Sequence, residues 1–99
     1  MFHRIRDAVR ELARGKASYN ERANYAAERV WPLRPADFPL VHQQTVARLL
    51  ELREKATWHG PVRPLLKMSL LSYRERREFA EGLLAIYEDM VAARARSSR

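Results

Sequence analysis

Few side chains in this sequence have the types and the spacing that catalysis or metal binding requires. The histidines His3, His42 and His59 show no metal-ligand spacing, and there is no cysteine to supply a thiolate. No HExxH, P-loop or GxGxxG pattern occurs, and no serine has neighbours that single it out as a nucleophile. His42 lies at the edge of an apolar helical face, which favours a hydrogen-bonded core residue. We therefore expect no metal, no cofactor and no enzymatic activity.

One segment nevertheless has the form of a catalytic motif. Arg53 to His59, REKATWH, reads R-x5-H at the end of a long predicted helix. It resembles the R-x(4–6)-H motif of HEPN ribonucleases, helical domains that cut RNA at a dimer interface. The resemblance implies a metal-independent ribonuclease with His59 as acid and base and Arg53 as the group that stabilises the phosphorane. Glu54 stands where that family usually has Asn, Asp or His.

Arginine dominates the charge of the chain. The sequence has 16 Arg and 3 Lys against 12 acidic residues, which gives a net charge of +7. A GC-rich genome can produce such a bias, but arginine is also well suited to forked contacts with phosphate. Arg6, Arg10 and Arg14 recur at i, i+4 and i+8 on one helical face. A second group lies before and within the first turns of the last predicted helix, where the macrodipole prefers anions, and it contains Arg63, Lys67, Arg74, Arg76 and Arg77.

Each arginine group has two interpretations. One is a solvated face on which local acidic residues neutralise the charge, and the other is a surface that faces the phosphates of a nucleic acid. The two tryptophans favour a third possibility, an anchor for a protein partner or a second copy of the chain. Trp58 falls on the polar side of the central helix, beside Glu51 and Glu54, and Trp31 lies in a proline-rich connector. A following segment that folds over Trp58 would explain it equally well.

The central element that must position these residues is a predicted helix from Asp37 to His59. Asp37 is a suitable N-cap, Pro39 fits the first turn, and Gly60-Pro61 should end the helix with glycine in the left-handed position. The face expected to be buried contains Phe38, Val41, Thr45, Leu49, Leu52 and Ala56.

Helical periodicity predicts the remaining elements as well. A helix is expected over residues 2–14, and a second follows the capping box Ser18-Tyr19-Asn20-Glu21, although one helix from 2 to 30 is the alternative. Pro64 should open a short helix over residues 65–70, and Ser72-Tyr73-Arg74-Glu75 is a capping box for a last helix to about Arg94. In that helix, the residues expected to flank the buried face are Tyr73, Ala80, Leu84 and Val91. No stretch alternates as a strand does.

These patterns predict an all-α fold, a single small bundle of four to five helices with Pro-rich connectors and no β-sheet. Residues 1–94 should form the domain, and residues 95–99 a basic disordered tail. No apolar run approaches the ~20 residues of a membrane span, and the N-terminus is unlike a signal peptide. We expect a cytoplasmic protein, or one inside an organelle or virion, rather than a secreted one.

The expected function is that of a small basic binding protein that contacts nucleic acid or a ribonucleoprotein through Arg–phosphate contacts. The alternative is a protein–protein adaptor, assembly factor or inhibitor in the style of a phage accessory protein, anchored by Trp58.

Overall fold

The computed structural model describes residues 2–13, 19–29 and 33–97. This part of the chain folds into four α-helices and one small antiparallel sheet, with short 3-10 turns at Pro35–Asp37 and Met68–Leu70. In chain order the elements are α1 (Phe2–Ala13), α2 (Tyr19–Arg29), α3 (Leu40–Lys55), β1 (Thr57–His59), β2 (Pro64–Leu66) and α4 (Tyr73–Ser97). The predicted, mostly helical fold is therefore confirmed, and the expected absence of a β-sheet is wrong.

The N-terminal third of the chain contains two helices rather than one. The Arg22 guanidinium donates a hydrogen bond from Nη1 to the carbonyl oxygen of Leu12, at 3.2 Å. Residues ten apart on one continuous helix would be separated by about 15 Å, which an arginine side chain cannot span. The predicted break and the first capping serine, Ser18, lie outside the described residues.

The central helix, α3, is shorter than predicted at both ends. Asp37 belongs to the preceding 3-10 turn, where its carboxylate accepts a hydrogen bond from the backbone N–H of Arg34, and Pro39 is the N-cap of α3. The helix ends at Lys55 because the next residues pair as a strand. Thr57 and Trp58 are β-branched and aromatic, so they suit a strand once a partner is available. No glycine among the described residues has positive φ, so the expected left-handed Gly60 is also wrong.

A β-hairpin replaces the predicted end of α3 and the predicted helix over residues 65–70. In its register, Thr57 lies opposite Leu66, Trp58 opposite Leu65, and His59 opposite Pro64. The N–H of Lys67 donates to the carbonyl oxygen of Ala56 at 2.8 Å. Because antiparallel pairs alternate between bonded and non-bonded, this contact puts Pro64 at a non-bonded position, where its missing N–H costs no ladder bond.

The core lies between α1, α2, α3 and α4 and includes Met68 and Leu71 from the segment before Ser72. Leu84 and Val91, expected beside the buried face of α4, are 45% and 41% exposed. Val41 and Tyr73, also expected on or beside buried faces, are exposed by 77% and 72%. Val41 and Tyr73 both lie in the first turn of their helix, beyond its packed section. The buried side chains of the four helices are Ile5, Ala8, Ala23, Ala26, Ala27, Val46, Leu49, Leu52, Phe79, Leu83 and Ile86.

Helix α4 starts as predicted and ends later. Ser72 Oγ accepts a hydrogen bond from the N–H of Glu75 at 3.1 Å, and Glu75 Oε1 accepts one from the N–H of Ser72 at 2.9 Å. This reciprocal pair confirms the predicted capping box. Residues 95–97, expected in the tail, are helical, and residues 98 and 99 lie outside the described part of the chain.

Polar contacts along their length show that α3 and α4 run antiparallel. His42 Nε2 lies 3.6 Å from Asp89 Oδ2 near one end, and Lys55 bonds Glu75 at the other. Between them the helices approach closely at Gly82, where an added Cβ would lie 3.1 Å from Leu49 Cδ2. The C-terminal end of α3 and the N-terminal end of α4 therefore lie together. Within the described ranges, no helix has both the length and the apolar composition that crossing a bilayer requires.

Candidate functional site

The hairpin and the start of α4 occupy the same end of the molecule. The hairpin follows Lys55, and the chain returns to Glu75, whose carboxylate bonds the Lys55 ammonium. The segment between these two residues carries exposed aromatic and cationic side chains together. We call this set the basic end, and it consists of Trp58, Arg63, Lys67, Tyr73 and Arg74.

Trp58 lies on the outer face of the hairpin. Side chains alternate between the faces of a strand, and Thr57, with only 8% of its surface exposed, faces the core, so Trp58 and the opposing Leu65 face outward. Trp58 is 42% exposed and Leu65 is 37% exposed. The indole packs over Gly60, since a Cβ added there would lie 2.7 Å from Trp58 Cη2. The tryptophan predicted on a helix is therefore presented by a strand.

A lysine approaches the same indole ring. Lys67 Nζ lies 4.5 Å from the centroid of the Trp58 ring, which is within the range of a cation–π contact. Lys67 follows β2 directly, and its N–H bond to Ala56 extends the hairpin by one pair. Trp58, which was predicted to contact a protein partner, and Lys67, which was predicted to contact phosphate, are therefore in contact with each other.

The second predicted arginine group separates into two parts in the structure. Arg63, Lys67 and Arg74 are exposed and make no ion pair with a described residue. Arg77 Nε instead bonds Glu81 Oε1 at 2.8 Å, and this hydrogen bond raises the pKa of Arg77. Arg76 is half-buried. Three of the five predicted cations therefore remain available to an external anion.

A charged groove runs beside the basic end, between α3 and α4. Its volume is about 980 Å³, and Arg74 and Arg77 line it together with Arg48. Arg48 forms a fork on Glu78, with Nε–Oε2 at 2.8 Å and Nη2–Oε1 at 3.1 Å, and also bonds Glu51 at 3.0 Å. These bonds raise the pKa of Arg48 and lower that of Glu78. The charge of Arg48 is thus neutralised within the fold, and its guanidinium donors are already bonded to Glu78 and Glu51.

The first predicted arginine group is described only in part, and its two described members differ in exposure. Arg6 is half-buried, and its Nε lies 3.5 Å from Asp7 Oδ1. Arg10 is exposed and makes no ion pair with a described residue, whereas Arg14 lies outside the described residues. Trp31 also lies outside them.

The residues of the predicted ribonuclease motif stand on two different elements. Arg53 is in the last turn of α3, where burial lowers the pKa of its guanidinium. His59 is in β1, and its Nε2 lies 3.4 Å from Glu54 Oε1. The motif therefore spans a helix-to-strand junction rather than the end of one helix. Among the described residues, no three histidine, aspartate or glutamate side chains come together as a metal site would need.

Sequence reasoning missed Leu65, Gly60 and Tyr73 as parts of this site. The signal for the hairpin was present, because Gly60-Pro61-Val62-Arg63-Pro64 is a turn-rich segment that lies between Thr57-Trp58 and Leu65-Leu66. The exposure of Tyr73 had no such signal, since its position continues the apolar face of α4.

Comparison of this chain with models of protein families, with curated proteins and with solved structures gave no match, so the chemistry of its side chains is the basis on which a function can be assigned.

Proposed function

We propose that this chain is a small, non-enzymatic nucleic-acid-binding protein that contacts phosphates through its basic end. The observation that carries the proposal is the contact of the exposed Lys67 with the exposed ring of Trp58, at 4.5 Å, on a segment of the chain that also carries the exposed side chains of Arg63, Tyr73 and Arg74. Arg63, Lys67 and Arg74 make no ion pair with a described residue. Cations supply the phosphate contacts, and aromatic rings supply surfaces on which bases stack.

The distribution of ion pairs supports an anionic partner. Most acidic side chains of the described residues are already engaged with an arginine or lysine of the same chain, among them Asp7, Glu11, Asp37, Glu51, Glu75, Glu78 and Glu81. The cations that lack such a partner therefore carry the excess positive charge of the protein. Contacts of this kind hold the nucleic acid by its backbone and read little sequence.

Fluorescence anisotropy with labelled single- and double-stranded DNA and RNA tests the proposal. We expect micromolar or tighter binding at low salt, with log K falling linearly as log salt concentration rises. The slope counts the phosphate contacts, at about 0.7 to 0.9 per contact. An absence of binding even at low salt would overturn the proposal despite the net charge of +7.

A protein partner is the second candidate function, because the hairpin also presents apolar surface. Val62 at the turn is 92% exposed, and it stands near Trp58 and Leu65 on the same hairpin. Such an interface would depend on buried apolar anchors rather than on charge. Binding of a protein that is insensitive to salt and is lost in Trp58→Ala would favour this function, whether the partner is a larger protein or a second copy of the chain.

A further inference from the structure

We infer that the basic end binds nucleic acid as a single strand, with one base stacked on the indole of Trp58. This inference rests on the proposed function and adds to it the class of nucleic acid and the residue that selects it.

The position of Lys67 shows that the indole accepts a contact on its ring. Lys67 Nζ lies 4.5 Å from the ring centroid and Lys67 is exposed, so the ring is approached by a surface ammonium rather than covered by the core. An exposed cation–π contact is weaker than the stacking of a base on an aromatic ring. A base can therefore take the place of the ammonium, which then moves to a neighbouring phosphate.

The indole already packs on the hairpin backbone before any ligand arrives. Gly60 supplies backbone without a Cβ beneath part of the ring, and Leu65 lies directly across the ladder from Trp58. The opposite face of the hairpin is held to the core through Thr57. A ring held in this way loses little freedom on stacking, which favours binding.

Cations flank β2, the strand that pairs with the strand of Trp58, at both of its ends in the chain. Arg63 directly precedes the strand and Lys67 directly follows it. At about 3.3 Å per residue, four residues of extended chain separate their backbones by roughly 13 Å at most. Phosphates on either side of a stacked base can thus be contacted together.

A single strand fits this surface better than a duplex. In a duplex the faces of the bases are covered by their neighbours, whereas a single strand can present an unstacked base to an aromatic ring. A two-stranded ribbon can also enter the major groove of DNA. Here, however, each strand has only three residues, and one face of the ribbon packs on the core.

The test follows Trp58 fluorescence in a Trp31→Phe background, since the chain has two tryptophans. The probes are a labelled oligothymidylate of about 12 nucleotides, within the site size of one small domain, and a hairpin duplex of the same length. We expect the single strand to quench Trp58 emission as its anisotropy rises, and the duplex to bind more weakly with little quenching.

Variants at the ring separate stacking from charge. Trp58→Ala should weaken binding of the single strand by on the order of ten- to a hundredfold, with a small effect on the duplex. Trp58→Phe keeps an aromatic face and should retain most of the affinity. Leu84→Ala, which removes an exposed apolar side chain from the middle of α4, is the matched control and should leave binding unchanged.

The outcomes distinguish the two proposals. If anisotropy rises without quenching, or if Trp58→Ala weakens the duplex and the single strand equally, stacking is wrong and phosphate binding stands. If neither probe binds at low salt, both proposals fail. If Trp31→Phe does not fold, the quenching of the native protein is compared with that of Trp58→Phe, and the difference between them is the quenching of Trp58.

Discussion

At the scale of single residues, the position of the Trp58 ring depends on the absence of a Cβ atom at Gly60. The ring occupies the space into which a side chain at Gly60 would project, and the φ of this glycine is not positive. The requirement for glycine here is therefore one of space and not of backbone conformation. Alanine can adopt the same backbone, but only if the indole moves.

Gly60→Ala should accordingly displace the indole without unfolding the protein. The added Cβ meets the far end of a side chain that can rotate, so we expect the free energy of unfolding to change by less than about 1 kcal/mol. In a Trp31→Phe background, Trp58 emission should shift to longer wavelength and its quenching by acrylamide should increase. Unchanged emission and quenching would contradict this packing of the ring.

At the scale of elements, the capping box at the start of α4 is also an electrostatic junction with α3. Glu75 accepts hydrogen bonds from the Lys55 ammonium and the N–H of Ser72, and these lower the pKa of its carboxyl group to about 2. The same residue therefore begins α4 and joins it to the end of α3, the junction from which the hairpin emerges.

The low pKa of Glu75 predicts how stability depends on pH. A carboxyl group whose pKa is lower in the folded state stabilises the fold fully above its unfolded value, about 4.3, and loses that effect as pH falls toward 2. Glu75→Gln should be less stable than the native protein at neutral pH and should lose less stability between pH 4.5 and 2. Urea unfolding across this range measures both effects.

Glu88→Gln is the matched control for this prediction, because Glu88 is exposed on α4 and makes no ion pair with a described residue. It should follow the native dependence on pH. If Glu75→Gln loses as much stability in acid as the native protein does, the junction does not titrate as described.

The elements also show what the sequence can predict. Local signals predicted the helices and the Ser72–Glu75 cap, since periodicity and capping depend on residues close in the chain. The hairpin was missed because the first helix-ending signal after Lys55 is Gly60-Pro61, so residues 57–59 were predicted as the last turn of α3, and only pairing with β2 decides between helix and strand. Likewise, no local signal shows that Arg48 is neutralised by Glu78, a partner 30 residues away.

At the scale of the whole molecule, the positive charge is not concentrated in one place. Arg63 and Arg74 belong to the basic end, whereas Arg4 on α1 and Arg96 near the end of α4 are also exposed without an ion pair to a described residue. Arg74 and Arg96 are 22 positions apart on one helix, which corresponds to about 33 Å. Net charge alone would attract nucleic acid to both regions. Arg94 lies 4.3 Å from the ring centroid of Phe2 in the second region, but Phe2 is half-buried, whereas Trp58 and Tyr73 at the basic end are exposed.

The most direct measurement compares charge reversal in these two regions. One double variant carries Arg63→Glu and Arg74→Glu, and the control carries Arg4→Glu and Arg96→Glu. Both lower the net charge by the same amount. Each is titrated with labelled oligothymidylate over a range of salt concentrations. We expect the change at the basic end to weaken binding at least tenfold at low salt and to reduce the slope of log K against log salt by about 1.5. The control pair should have a much smaller effect. Equal losses in the two variants, or a larger loss in the control, would contradict a binding site at the basic end.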